Sequence, residues 1–218
     1  MLFAVLEWRL GGVMAKVLEE QVVVQPLLVH LRPVVEMTDE QFFRFCQLNR
    51  DLRIERTSEG DLLIMPPTGG RTGRRNTLLL KAFLNWEEQG GTGVAFDSST
   101  GFALPNGAKR SPDVSWVERS RLAGLTKEEQ EGFLPLCPDV VVELQSVSDP
   151  LNNLKENMRE YVENGARLGL LVDPRERKLY AYRGDGTVDV YENPESFPLD
   201  PIIPGFVLDL REIWDVEF

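Results

Sequence analysis

The stretch PDVVVELQSVSD, residues 138–149, places one carboxylate inside a run of strand-forming residues. Val140, Val141, Val142 and Leu144 suit a strand buried on both faces, because branched side chains pack well on a pleated surface. Glu143 interrupts the run, and burying a carboxylate costs several kcal/mol unless something pairs with it. Side chains alternate along a strand, so Glu143 and Gln145 share a face. Two answers stay open at this point. Glu143 pairs with an Arg or Lys from a neighbouring helix, or it meets a second carboxylate across a cation.

Working outward, ARLGLLVDP (residues 166–174) reads as a second buried strand. Between the two lies SDPLNNLKENMREYVENG (148–165), an amphipathic helix with Ser148 or Asp149 as cap, Pro150 near its first position and Gly165 past its end. Upstream, SPDVSWVE is a strand headed by Asp113. LRIERTSEGDLLIMP (52–66) is a hairpin turning at residues 58–60, and KLYAYRGDGTVDVYEN (178–193) is another, turning at 184–186. MTDEQFFRFCQLN (37–49) is a helix capped by Thr38. PPTGGRTGRRNTLLLKAFLNWEEQ (66–89) reads as a Gly-rich loop entering a helix of about 14 residues. GVAFDSS and TGFALPN are short strands, and SRLAGLTKEEQEGF is a polar helical excursion. The fold class is therefore α/β, with a mixed central sheet flanked by helices. Residues 1–30 form an N-terminal extension, loosely ordered or an extra strand or helix, and residues 31–218 form the main domain.

The chain has 218 residues, 42% hydrophobic and 27% charged, which suits one full hydrophobic core. No apolar run reaches the roughly 20 residues of a membrane span. Glu7 and Arg9 break the first apolar run and no cationic start precedes it, so a cytoplasmic protein is expected, starting at Met1 or Met14. Cys46 and Cys137 stand alone with one histidine, His30, too few for structural zinc. The net charge of −11 disfavours nucleic-acid binding over the whole surface, so any such site is a local basic patch.

Asp113 and Glu143 are the candidate site. If their strands are neighbours, Asp113, Glu143 and Gln145 converge at one end of the sheet. Two carboxylates held close repel unless a cation sits between them, and Mg²⁺ uses one or two carboxylates while keeping several waters. The loop TGGRTGRRN brings Arg71, Arg74 and Arg75 together with no acid among them, and Lys109 and Arg110 precede Asp113. These five form the candidate nucleic-acid patch; the plainer reading is a solvated face. Asp97 and Asp173 read as turn residues, Tyr161 and Met158 as helix-core contacts, and His30 carries no catalytic role.

A "PD" followed by "E-x-(polar)" on successive sheet segments resembles the PD-(D/E)XK nuclease superfamily. IERTSEGDLLIMPPTGG, FDSSTGFALPNGAKRSPDVSWV, LCPDVVVELQSVSD and MREYVENGARLGLLVDP together resemble the Uma2 family, also called DUF820, over about residues 34–214. The resemblance implies a restriction-endonuclease-like fold and metal-dependent hydrolysis of DNA phosphodiesters, with Asp113 and Glu143 holding Mg²⁺ or Mn²⁺. It also implies a homodimer, since a duplex presents two strands. The family pattern places a Lys two residues after the Glu, where this chain has Gln145. Some relatives carry that Lys within E-K-M-x-E-Y; here ENMREY puts Asn157 there. Lys155, the other candidate, is about 200° around the helix from Asn157, on roughly the opposite side. Two functions follow: an endonuclease, impaired if the missing Lys is not replaced, or an inactive nuclease-fold module binding DNA or a partner protein. A Ser or Cys hydrolase lacks a nucleophile elbow.

Overall fold

The computed structural model describes residues 5–10, 13–18 and 25–217. In chain order the elements begin with the hairpin β1 (Val5–Leu10) and β2 (Val13–Leu18), followed by β3 (Leu27–Val29) and α1 (Asp39–Leu48). Next come β4 (Arg53–Arg56), β5 (Leu62–Met65), α2 (Gly70–Glu88) and β6 (Gly93–Asp97). The middle of the chain supplies β7 (Phe102–Ala103), β8 (Lys109–Arg110), β9 (Val114–Glu118), α3 (Arg119–Leu122) and α4 (Lys127–Glu131). The remainder is β10 (Val140–Leu144), α5 (Leu151–Glu163), β11 (Leu168–Asp173), β12 (Lys178–Arg183), β13 (Val188–Glu192), β14 (Ser196–Pro198), β15 (Val207–Asp209) and α6 (Arg211–Trp214).

The central sheet has six strands in the order β13-β12-β11-β10-β9-β6. Only β10 and β11 run parallel, joined by the crossover helix α5, and the other neighbours are antiparallel. The mixed sheet expected from the sequence is thus present, with its two most apolar strands at the centre. Alternation sorts the side chains of β10. Val140, Val142 and Leu144 join a core with Leu79 and Phe83 of α2, while Val141 joins the opposite core with Met158 and Tyr161 of α5. Glu143 therefore emerges on the α5 face, buried beside Tyr161. Burying Leu79 or Phe83 contributes about 1.5–3 kcal/mol each. Gly169 lets α5 approach, since a Cβ there would lie 2.8 Å from Met158 Sδ.

A second sheet of five strands, β3-β5-β4-β8-β7, leans over one end of the first. Its hairpin β4–β5 turns at Gly60, whose φ of +94° favours glycine. β3 lies within residues 1–30 and adds an edge to this sheet by pairing with β5. Thr38 caps α1 through a capping box with Gln41, as the sequence predicted. Phe206, Leu208, Leu210 and Trp214 are buried and close the core against α2 rather than forming an exposed face.

Two local expectations are corrected. The Gly-rich segment is helix, not loop: α2 starts at Gly70 behind the N-cap Gly69 and runs 19 residues. The two glycines cost propensity, but the apolar turns that follow are packed and carry the helix. The N-cap of α5 is Pro150, because the Asp149 carboxylate turns back to accept from the Ser146 backbone N–H at 3.3 Å.

Candidate active site

β9 and β10 are antiparallel neighbours, and their last ladder pair is Val142 with Val114. One residue further, Asp113 and Glu143 lie opposite each other at the sheet's end. Both line a cleft of about 310 Å³ between β4, β10 and the start of α5. Each acid is held by its own partners. Asp113 Oδ2 accepts from the Leu144 N–H at 3.0 Å and Oδ1 from Asn76 Nδ2 of α2 at 3.1 Å. Glu143 Oε1 accepts from the Tyr161 hydroxyl at 3.2 Å.

Charge is poorly answered here. Burial, then repulsion from Asp113 and Glu55, pushes the Glu143 carboxyl well above the usual carboxylate range, against the pull of Arg53 and the Tyr161 hydroxyl. Burial also raises Asp113, opposed by Arg53, the Leu144 amide and Asn76. Burial and the neighbouring carboxylates of Glu143 and Glu55 raise the Tyr161 phenol, which keeps its proton and donates it. An ion pair to Glu143, one of the two readings open from sequence, is formed by no Arg or Lys among the described residues. Its hydrogen-bond partner is a phenol.

The other predicted residues are placed as follows. Gln145 lies past the end of β10 beside the Asp173 carboxylate; with its amide turned so that the nitrogen faces that carboxylate, it would donate to both oxygens at 3.1 and 3.0 Å. Lys155 is on the far side of α5, with Nζ 4.4 Å from the centre of the Tyr180 ring. Neither lines the cleft, whereas Asn157 does. Lys109 is buried against Asp39, 3.0 Å away. Arg110 is buried between Glu55 at 3.1 Å and Glu160 at 2.6 Å. Arg75 docks the C-terminal helix, donating to the carbonyls of Ile213 and Trp214 at 2.7 and 3.2 Å. Arg71 and Arg74 are exposed on the first turns of α2, and Thr72 and Asn76 of the same turns share a small cavity with Asp113. Asp97 accepts from the Ser99 N–H and Asp173 from those of Arg175 and Glu176, as turn residues do. His30 pairs with Asp61.

Sequence reasoning missed Arg53, Glu55 and Asn76. Arg53 Nη1 is 3.6 Å from Asp113 Oδ1, and Nη2 donates to the Ser111 carbonyl at 2.5 Å. The signal was the alternation in RIER: Arg53 and Glu55 share one face of β4, and that face is turned to the acids.

Among the described residues, no group of three or more His, Cys, Asp or Glu side chains gathers around a common point. A site from this chain would rest on Asp113 and Glu143. All-oxygen donors, two carboxylates and a cleft wide enough for water fit a hard divalent ion such as Mg²⁺. No described helix is long and apolar enough to cross a membrane.

Residues 39–211 match the model of the Uma2 family, described as "Putative restriction endonuclease". No curated protein matches the chain. Among solved structures, a "putative nuclease belonging to DUF820" from Anabaena variabilis ATCC 29413 superposes with a TM-score of 0.67 at 16% identity, covering 82% of this chain and 98% of that one. At that identity the likeness establishes the restriction-endonuclease-like fold.

Proposed function

Because this chain belongs to the Uma2 family, we propose that it is a divalent-metal-dependent endonuclease that hydrolyses DNA phosphodiester bonds. The observation carrying this reading is the pair of buried carboxylates, Asp113 and Glu143, brought from adjacent strands to one cleft without enough positive charge to balance them. The two acids would hold Mg²⁺ or Mn²⁺, which when bound supplies a polarised phosphate and an acidified water. The chain's own groups set the geometry. The Leu144 amide and Asn76 fix both oxygens of Asp113, and the Tyr161 hydroxyl fixes one oxygen of Glu143. Exposed Arg71 and Arg74, at the end of α2 nearest Asp113, would contact the DNA backbone. Since Lys109, Arg110 and Arg75 are engaged inside the protein, the backbone patch in this reading narrows to those two. A homodimer belongs to the same reading and is tested by sedimentation velocity with and without duplex.

The test is calorimetric titration with Mn²⁺ followed by plasmid nicking, wild type beside Asp113→Asn and Glu143→Gln. Metal binding and nicking by wild type, lost in both variants, support the enzyme. Absence of metal binding by folded wild type sinks it. The second reading, an inactive nuclease-fold module binding DNA or a partner protein, is favoured by the positions of Gln145 and Lys155, which bring no cation into the cleft. Metal binding without nicking would select it.

A further inference from the structure

The expected Lys position is Gln145, and Gln145 faces Asp173. Yet hydrolysis of a phosphodiester builds negative charge at the phosphate, and a fixed cation beside it is worth a large factor in rate. Two arginines line the acid cleft. Arg110 is 8% exposed and spent on Glu55 and Glu160. Arg53 differs in every respect. Its side chain is 37% exposed, its contact to Asp113 is a long 3.6 Å, and its Nε has no partner though buried. It also forms the wall between the acid cleft and an adjoining groove of about 680 Å³ that Arg50 lines from the other side. A guanidinium in this place meets Asp113 on one side and would meet a passing strand on the other.

We infer that Arg53 supplies the phosphate-contacting positive charge that the Gln145 position lacks. The role rests on the nuclease reading above and deepens it. The contacts agree. Arg110 is locked directly to two carboxylates at 3.1 and 2.6 Å, whereas Arg53 reaches Asp113 only at 3.6 Å and stays partly exposed. Burial works against its charge, but Asp113, Glu55 and Glu143 outweigh it and hold Arg53 protonated. A planar fork suits phosphate oxygens in pairs, where an ammonium would offer a point charge.

The experiment compares wild type with Arg53→Met, Arg53→Gln and Arg53→Lys. Three readouts are taken: Mn²⁺ affinity by calorimetry, duplex affinity in Ca²⁺ over a salt series, and single-turnover cleavage in Mg²⁺. The neutral variants are expected to lose about 10²–10³-fold in cleavage rate. Their salt slope for duplex binding should fall by about one unit. Mn²⁺ affinity should hold or rise, because a cation next to the ligand acids has been removed. Arg53→Lys should recover part of both losses. Cleavage and salt slope unchanged in folded neutral variants would overturn the proposal. So would loss of the fold in both, which would make Arg53 a structural brace for the Ser111 carbonyl. If wild type itself does not cleave, the nuclease reading fails. Arg53 then stands or falls on the salt slope alone.

Discussion

Arg110 lies between Glu55 and Glu160 with its partners at 3.1 and 2.6 Å, whereas Glu143 has a phenol for a partner and Asp113 for a neighbour. Both clusters are buried, and both are built around β4, β8 and α5 or the strand ends beside them. In the first, the Ser111 N–H and the Asn106 amide satisfy further carboxylate oxygens, so little is left for solvent or a ligand. In the second, two carboxylates repel across a cleft open to small species. A buried charge that is answered holds elements together; one left unanswered costs stability and is retained for what it binds.

Breaking the answered cluster should have the largest effect on stability. Arg110→Met leaves Glu55 and Glu160 buried without their cation, and about 3–5 kcal/mol of unfolding free energy should be lost. Guanidinium unfolding reads this directly, and a loss below about 1 kcal/mol would show that the triad does not brace the fold.

The unanswered cluster should respond with the opposite sign. Glu143→Gln removes a buried charge and keeps the shape, so the metal-free protein should gain about 1–2 kcal/mol while losing Mn²⁺ binding. The pH dependence sharpens this. The folded Glu143 holds its proton above its ordinary value of 4.5, mainly because of burial and then Asp113. Between that value and its raised folded value the native state binds more protons than the unfolded chain, so stability falls as pH rises through the window. Thermal melts in chelator, from pH 4 upward, should show the advantage of Glu143→Gln growing with pH. A constant offset between the two proteins would mean that Glu143 is not the titrating group.

The contrast also explains what could be read from sequence. The apolar runs around Val140 and Leu168 announced a central buried sheet, and the period of two placed Glu143 on one face of it. The PD and E motifs named the two acids that meet, because each sits on a strong strand signal. Arg53 was invisible for the converse reason. Its hairpin is short, the period of two puts Arg53 and Glu55 on one face without saying where that face points, and only the tertiary packing turns it toward the acids. Lys109 and Arg110 looked like a DNA-facing pair for the same lack of tertiary context; their partners, Asp39, Glu55 and Glu160, lie 50 or more residues away. Gly70 and Gly73 argued for a loop because propensity counts them against a helix, and packing of Leu79 and Phe83 decided otherwise.

The smallest effect should come from a third charge group that lies between the two extremes. Asp39 accepts from Arg56 and lies 3.0 Å from Lys109 Nζ, both buried, but its own side chain is 69% exposed. Burial raises its pKa, yet the hydrogen bonds and charges of Arg56 and Lys109 prevail and lower it below 3.8. Its stabilising contribution is therefore present above its ordinary value and lost as pH falls through the lower folded one, the reverse of Glu143. Water screens the exposed carboxylate, and Arg56 keeps the carbonyls of Met37 and Gly107 at 3.1 Å as alternative acceptors. Asp39→Asn should thus cost about 0.5–1 kcal/mol at neutral pH, and the two proteins should converge in acid below pH 3. A cost as large as that of Arg110→Met would mean that exposure of one partner does not loosen a buried ion cluster, and the ranking of the clusters by burial would have to be abandoned.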